Sequence, residues 1–347
     1  MREMTEEKVH SISSENKLRG FPALLGKFGG QRAVALGALI ALFLFFCVAG
    51  PGFATTNTVV SILDSSYYIG LMAIGMTFVI ITGGIDLSVG AVMICAALVA
   101  GTMHDKMGLP MWLTLIVAVA VGTIFGLANG FMVSVMKIPA FIATLGTMMV
   151  ARGLGSIVTA TASVTYPQRG TPDGWFRNIF KVIGENGQAV PTGVIVLFGS
   201  AIVMAFILNK TKAGRYIISL GSNKEATRLS GVNVVRWEML AYVISGLFAG
   251  LAAIAYASIY STILPGTGNG FELDAIAGTV IGGTSLSGGV GSIAGTMIGV
   301  FIMSVLKTGL PFVGLQPHYQ IFFTGFVLII AVFADVISRE RRKRKKE

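Results

Sequence analysis

Five ionisable side chains, Asp86, Arg152, Glu272, Asp274 and Lys307, lie within or at the ends of long apolar runs. In a bilayer such residues are costly, and they line polar pathways, relay protons or ions, or pair with one another. Each also has a plainer reading. Asp86 is placed to cap a helix opening at Val89, worth about 1 kcal/mol, and chain position favours that cap over a role in a pathway. Ser285 or Ser287 would cap likewise in a second, similar segment. Lys307 sits near the end of its run, where a long side chain can snorkel to water. Arg152 either pairs with an acid or faces a wet pathway. Glu272 and Asp274 open a run, where acids suit the positive end of a helix dipole, and they are also placed to meet a partner protein or a polyol.

Other chemistries lack their residues. There is no GxxxxGK followed by Ser or Thr, so any ATP must be handled by another subunit. Gly289, Gly291 and Gly295 resemble a dinucleotide fingerprint only superficially, because an apolar span rather than a strand–helix–strand unit surrounds them. His10, His104 and His318 have no metal-ligand spacing, no GxSxG elbow is present, and Cys47 and Cys95 lie in apolar runs. No metal site, cofactor or catalytic group is expected on this chain.

An internal echo is the most informative pattern. GGIDLSVG at Gly83–Gly90 and GGTSLSGG at Gly282–Gly289 match at five of eight positions, 199 residues apart. Each follows one apolar run and starts another. Gly83, Gly84, Ser88, Gly282, Gly283, Ser285 and Ser287 thus form either two glycine-rich turns or two helix breaks lining a polar cavity.

These segments need elements to hold them. Of 347 residues, 54% are hydrophobic, 45 are glycine and only 12% are charged, against roughly 25% charged in soluble domains. The expected fold is all-α, a polytopic membrane protein of about ten transmembrane helices. Apolar runs fall near 33–49, 58–82, 88–102, 111–132, 139–160, 192–208, 238–261, 271–284, 290–308 and 319–337. The chain divides into an N-terminal segment 1–32, a membrane domain 33–337 and a basic tail 338–347. The net charge of +10 follows this topology. The N-terminal segment carries six Lys or Arg, the connection Asn209–Arg236 six and the tail seven, which puts both termini in the cytoplasm. The tail reads as a topology anchor on anionic lipid rather than a nucleic-acid site. The first run serves as an uncleaved anchor, with no removable signal peptide before it. The long outer connection, 161–191, reads as a structured cap, and Ser222 or Asn223 caps a short helix in the long inner one.

The chain resembles the permease subunits of bacterial ABC importers for monosaccharides, the ribose and galactose type. The likeness rests on ITGGIDLSVGAVM at Ile81–Met93, AFIATLGTMMVARG at Ala140–Gly153, NKTKAGRYIISLGSNKEATRLSGVNV at Asn209–Val234 and FELDAIAGTVIGGTSLSGGVGSIAGTMIG at Phe271–Gly299. It implies a homodimer in the bacterial inner membrane, moving a sugar inward. It further implies an ABC ATP-binding subunit inside, which holds ATP and Mg, and an extracytoplasmic sugar-binding protein outside. By the same resemblance Ser222, Asn223, Glu225, Arg228, Ser230 and Gly231 are candidates for docking the ATPase. Outer segments 103–110, 162–190 and 263–270 are candidate landing surfaces for the binding protein, and Glu272 and Asp274 are candidates for meeting it or for lining the pathway mouth. The glycine segments, with Asp86 and Arg152, are candidates for the pathway or its gate. Nucleosides, autoinducer-2 or branched-chain amino acids are alternative cargoes, and an ion-coupled secondary transporter is the alternative class.

Overall fold

The computed structural model describes residues 30–344. The N-terminal segment to residue 29 and the end of the basic tail therefore lie outside the described residues, as do the tail's side chains from residue 338. The chain is a bundle of apolar helices: α1 (Gly30–Ala49), α2 (Thr56–Ile81), α3 (Val89–Met107), α4 (Met111–Ser134), α5 (Ala140–Thr159), α6 (Gly193–Lys210), α7 (Lys212–Ser222), α8 (Lys224–Leu229), α9 (Val234–Ile259), α10 (Phe271–Ile281), α11 (Ile293–Gly309) and α12 (Pro317–Arg344). Among the described residues, eight segments are long and apolar enough to cross a membrane: α1 to α6, α9, and α11 with the turn after it. The protein is a polytopic helical membrane protein.

Two of the ten expected spans differ from the rest. Helix α12 contains a shorter apolar stretch, His318–Phe333. The run 271–284, expected to cross, is the 11-residue α10. At about 1.5 Å per residue that is roughly half of a ~30 Å hydrocarbon core. Hydropathy continues through Gly282 and Gly283, but the backbone turns there.

The centre of the bundle is α2, buried at every residue from Asp64 to Ile81. Antiparallel to each other, α4 and α9 meet almost backbone to backbone. A Cβ built on Gly126 would lie 2.5 Å from the Tyr242 carbonyl oxygen and 2.9 Å from the Gly246 Cα, and Gly122 meets Gly246 and Gly250 in the same way. Small residues at such a seam let dispersion contacts replace the hydrophobic drive that lipid cannot supply. Gly126→Val is expected to force the two helices apart, at a cost of at least ~1–3 kcal/mol for an overpacked contact, read as loss of folded, monodisperse protein in detergent.

The expected outer cap is present. It consists of β1 (Val164–Thr165), a 3-10 turn (Pro172–Ile179), and a small hairpin of β2 (Val182–Ile183) and β3 (Ala189–Val190). β1 pairs antiparallel with β4 (Thr262–Ile263), Val164 opposite Ile263, joining the segment after α5 to the segment after α9. The buried Arg177 donates to the carbonyls of Pro167 (2.7 Å) and Ser258 (3.3 Å), pinning the cap to the end of α9. Burial, and then the neighbouring Arg169, lower its pKa from the usual arginine value.

Candidate functional site

Three clusters gather the polar residues, and the glycine segments connect them. The first is at the basic end of the bundle. Helices α2 and α10 end in the same way: the amides of Gly83 and Gly84 bond the carbonyls of Ile80 and Val79, and those of Gly283 and Thr284 bond Val280 and Thr279. Gly83 and Gly283 have φ of +85° and +94°, so each closes a Schellman turn that favours glycine. The structural equivalence is Gly83 with Gly283, one residue out of step with the sequence echo. The turn after α2 touches the glycine loop that follows the turn after α10. The Gly289 amide donates to the Ile81 carbonyl at 2.8 Å, and the position of a Gly288 Cβ lies 3.0 Å from the Gly83 nitrogen. This turn and this loop rest on the end of α7, where Gly221 packs directly on the Ile81 carbonyl and on Gly289, and Ser222 adjoins Gly289.

From this joint α8 projects outward. Asn223 caps it, accepting from the Ala226 amide at 2.9 Å, as expected of Ser222 or Asn223. Glu225 and Arg228 pair at 2.7 Å with both side chains about two-thirds exposed (64% and 65%). Ser230 is exposed, and Gly231 turns the chain at φ +80°. Leu229 is 79% exposed beside them. Here α9 begins, and Lys224 reaches its Glu238 at 2.6 Å.

The second cluster surrounds Asp86, and it corrects the capping assignment. Asp86 is buried (2% exposed). Its Oδ1 accepts from the Ser88 amide (3.0 Å) and hydroxyl (2.6 Å), and its Oδ2 accepts from Ser245 Oγ on α9 (2.8 Å). The N-cap of α3 is Ser88, whose side chain makes no capping bond. The cap of α11 is Ser292, which accepts from the Gly295 amide, rather than Ser285 or Ser287. Asn129 on α4 donates to Ser88 Oγ at 2.8 Å and accepts from Thr147 on α5 at 2.6 Å, and Thr144 reaches the Ile85 carbonyl. The segment between α2 and α3 is thus a break inside the bundle, its freed backbone and side-chain groups satisfied by three helices. Among the described residues no Lys, Arg or His bonds to Asp86.

The third cluster lies in the half opposite the basic end. A Gly90 Cβ would meet Glu272, so α3 starts at the depth where α10 starts. Arg152 approaches Glu272 at 3.8 Å, the acid partner of one of its two readings, and its side chain remains 31% exposed. Lys307, expected at the interface, is instead half-buried. It donates to Asp274 at 3.1 Å and lies 4.2 Å from the centre of the Phe271 ring, a desolvated cation–π contact. Thr324 donates to the other oxygen of Asp274. Glu272 and Asp274 are each only 8% exposed, so in this chain they face the bundle and not a surface where a partner protein lands. Nearby, Tyr68, Tyr256, Tyr260 and Phe271 form an aromatic cluster, and Lys181 of the cap contacts Asp64 of α2.

Asn129, Ser245, Gly221 and Gln320 were not foreseen as site residues. A lone amide in an apolar run was the available signal for Asn129. The others have meaning only through their partners on distant helices.

Residues 58–332 match the family described as "Branched-chain amino acid transport system / permease component". The chain belongs to this permease family. Among its relatives, the permease is 37% identical over 300 residues to the ribose import permease protein RbsC of Escherichia coli K12, covering 86% of this chain and 91% of that one. It is 34% identical to the fructose import permease protein FrcC of Rhizobium meliloti, covering 86% and 82%. To the galactose/methyl galactoside import permease protein MglC of Salmonella typhimurium it is 32% identical, covering 91% and 96%.

Proposed function

We propose that the permease is one of two identical membrane subunits of an ABC importer that carries a monosaccharide, a ribose-like pentose or a related sugar, into a bacterial cytoplasm. The carrying observation is that relatives matching nearly its whole length are import permeases for ribose, fructose and galactose. A separate ATP-binding subunit would hold ATP and Mg, and a sugar-binding protein would deliver cargo from outside. The family's own description favours a second cargo, a branched-chain amino acid. Uptake by membranes carrying the reassembled complex decides between them: ribose, fructose or galactose entering only with ATP supports the first reading, and leucine entering instead supports the second.

In this reading the inner side is the basic end. The ATPase docks on α8 and the exposed residues around it, and its closure on ATP displaces α7. Because α7 rests on the turn after α2 and on the glycine loop at Gly288 and Gly289, that displacement reaches the break at Asp86 through the turn and the segment following α10 through the loop. Access then alternates between the two faces. Specificity is set mainly by the binding protein, since a pathway receiving concentrated cargo needs only weak contacts.

Alanine at both Glu225 and Arg228 removes the charged face of α8 without touching the core. Association with the ATP-binding subunit is expected to weaken about tenfold, ~1.4 kcal/mol, with uptake falling in parallel. Co-purification and uptake unchanged from the parent would remove α8 as the docking element.

A further inference from the structure

At the start of α10 the structure holds a cavity of 210 Å³ lined by Asn269, Phe271, Asp274, Lys307, Gln320 and Thr324, with Leu306 and Ile321 among its apolar walls. We propose that this cavity is a transit subsite for a single neutral polyhydroxyl ring, a monosaccharide in passage. The proposal rests on the sugar-import reading above and adds to it the place in the chain where the sugar is held.

Size is the first argument. The volume equals the share of about seven liquid waters at ~30 Å³ each and lies below the ~300–1,000 Å³ of drug-sized pockets. It suits one small ring and excludes an oligosaccharide. Charge is the second. The lining contains one carboxylate and one ammonium, already paired at 3.1 Å. A cation or an anion would find its attraction cancelled there, whereas a hydroxyl both donates and accepts and can bridge Lys307 and Asp274 without breaking their balance. Asn269 and Gln320 add amides with the same dual character, and Thr324 adds a hydroxyl. The third argument is the wall. Phe271, Leu273, Leu306 and Ile321 supply apolar surface for the C–H face of a ring, the usual division of a small-ligand site into apolar walls with a few placed polar groups.

Position supports transit rather than storage. The cavity lies between the start of a half-length helix, the end of α11 and the start of α12. The far end of α10 leads, through the turn at Gly283, into the glycine loop whose Gly288 and Gly289 touch α7. A shift of α7 is thereby transmitted along eleven residues to Phe271 and Asp274, which changes the cavity when the ATPase acts.

Asn269 is exposed at the rim, so Asn269→Cys places a thiol at the mouth. In the complex reassembled with its ATP-binding and sugar-binding partners, modification of that thiol by a small, charged methanethiosulfonate is followed by mass spectrometry of its own peptide. The expected result is a rate at least threefold slower in saturating ribose, fructose or galactose, whichever the importer carries, and unchanged in equimolar betaine. In a second measurement, Asp274→Asn with Lys307→Met is expected to cut uptake at least tenfold while the complex still hydrolyses ATP. Equal modification rates with and without a sugar that the complex demonstrably imports would overturn the subsite and leave the import reading standing. Absence of uptake for all three sugars, with no protection of the thiol, would overturn both.

Discussion

Gly221→Ala is expected to cut uptake sharply while leaving the permease folded in the membrane. A methyl group there falls on the Ile81 carbonyl oxygen and 2.5 Å from the Gly289 nitrogen, the two atoms joined by the hydrogen bond between the turns. Neither neighbour is a flexible side chain, so one backbone must move. Overpacking costs ~1–3 kcal/mol, which, if borne at the moving joint, corresponds to about 5- to 150-fold in a rate. Gly221 is the next-to-last residue of α7 and lies outside the spanning helices, so the damage is confined to the joint. Uptake should fall by that factor while yield and detergent melting temperature stay near the parent's. Uptake within twofold of the parent would show that α7 does not need its seat on the turns.

A second large effect is expected at Asp86, and its two substitutions should differ. Asp86→Ala leaves the Ser88 amide, the Ser88 hydroxyl and the Ser245 hydroxyl without their acceptor in a dry interior. An unpaired buried donor costs about 1–3 kcal/mol, so three approach the whole ~5–15 kcal/mol of a typical native state. Little folded protein should be recovered. Asp86→Asn keeps the shape and one acceptor oxygen, and its NH2 can donate to Ser245 once that hydroxyl rotates. Normal yield and more than half of parental uptake are expected, because the carboxylate here bonds donors and need not ionise in turn. The same variant separates the transporter classes. A proton- or ion-coupled carrier that relays through Asp86 would lose transport with Asn, so a folded but inactive Asp86→Asn protein would return weight to that class.

The parts of the fold legible in the sequence were those that local chemistry dictates. Apolar runs gave helices because lipid leaves the backbone no other partner, Asn223 declared itself as a cap, and the proline- and glycine-rich stretch after α5 became the cap domain. Mean hydropathy could not show that α10 stops at Ile281, since Gly282 and Gly283 carry no charged or polar side chain to end an apolar run; the positive φ at Gly283 that ends the helix carries no hydropathy signal. The place of Lys307 near the end of α11 gives no sign of its partners, because Asp274 and Phe271 come from another helix. The Asp86 cluster draws on α4, α5 and α9, and only the register of those helices, set by glycine contacts such as Gly126 on Gly246, brings the groups together. Arg152 was legible to the extent that an acid partner was one of its two readings; which acid was not.

The turn that ends α2 and the glycine loop at 288–291 that follows α10 lie in contact, which carries an implication for how such permeases diverge. In a duplicated hairpin whose copies never meet, each copy drifts freely once the duplication is fixed. Here a larger residue at one tip takes up room that the other tip occupies, so tolerated changes at 81–84 and at 288–291 should arrive as matched pairs along a lineage. A phylogeny of these permeases should show linked exchange between the two stretches, stronger than between either stretch and the equally glycine-rich seam of α4 with α9.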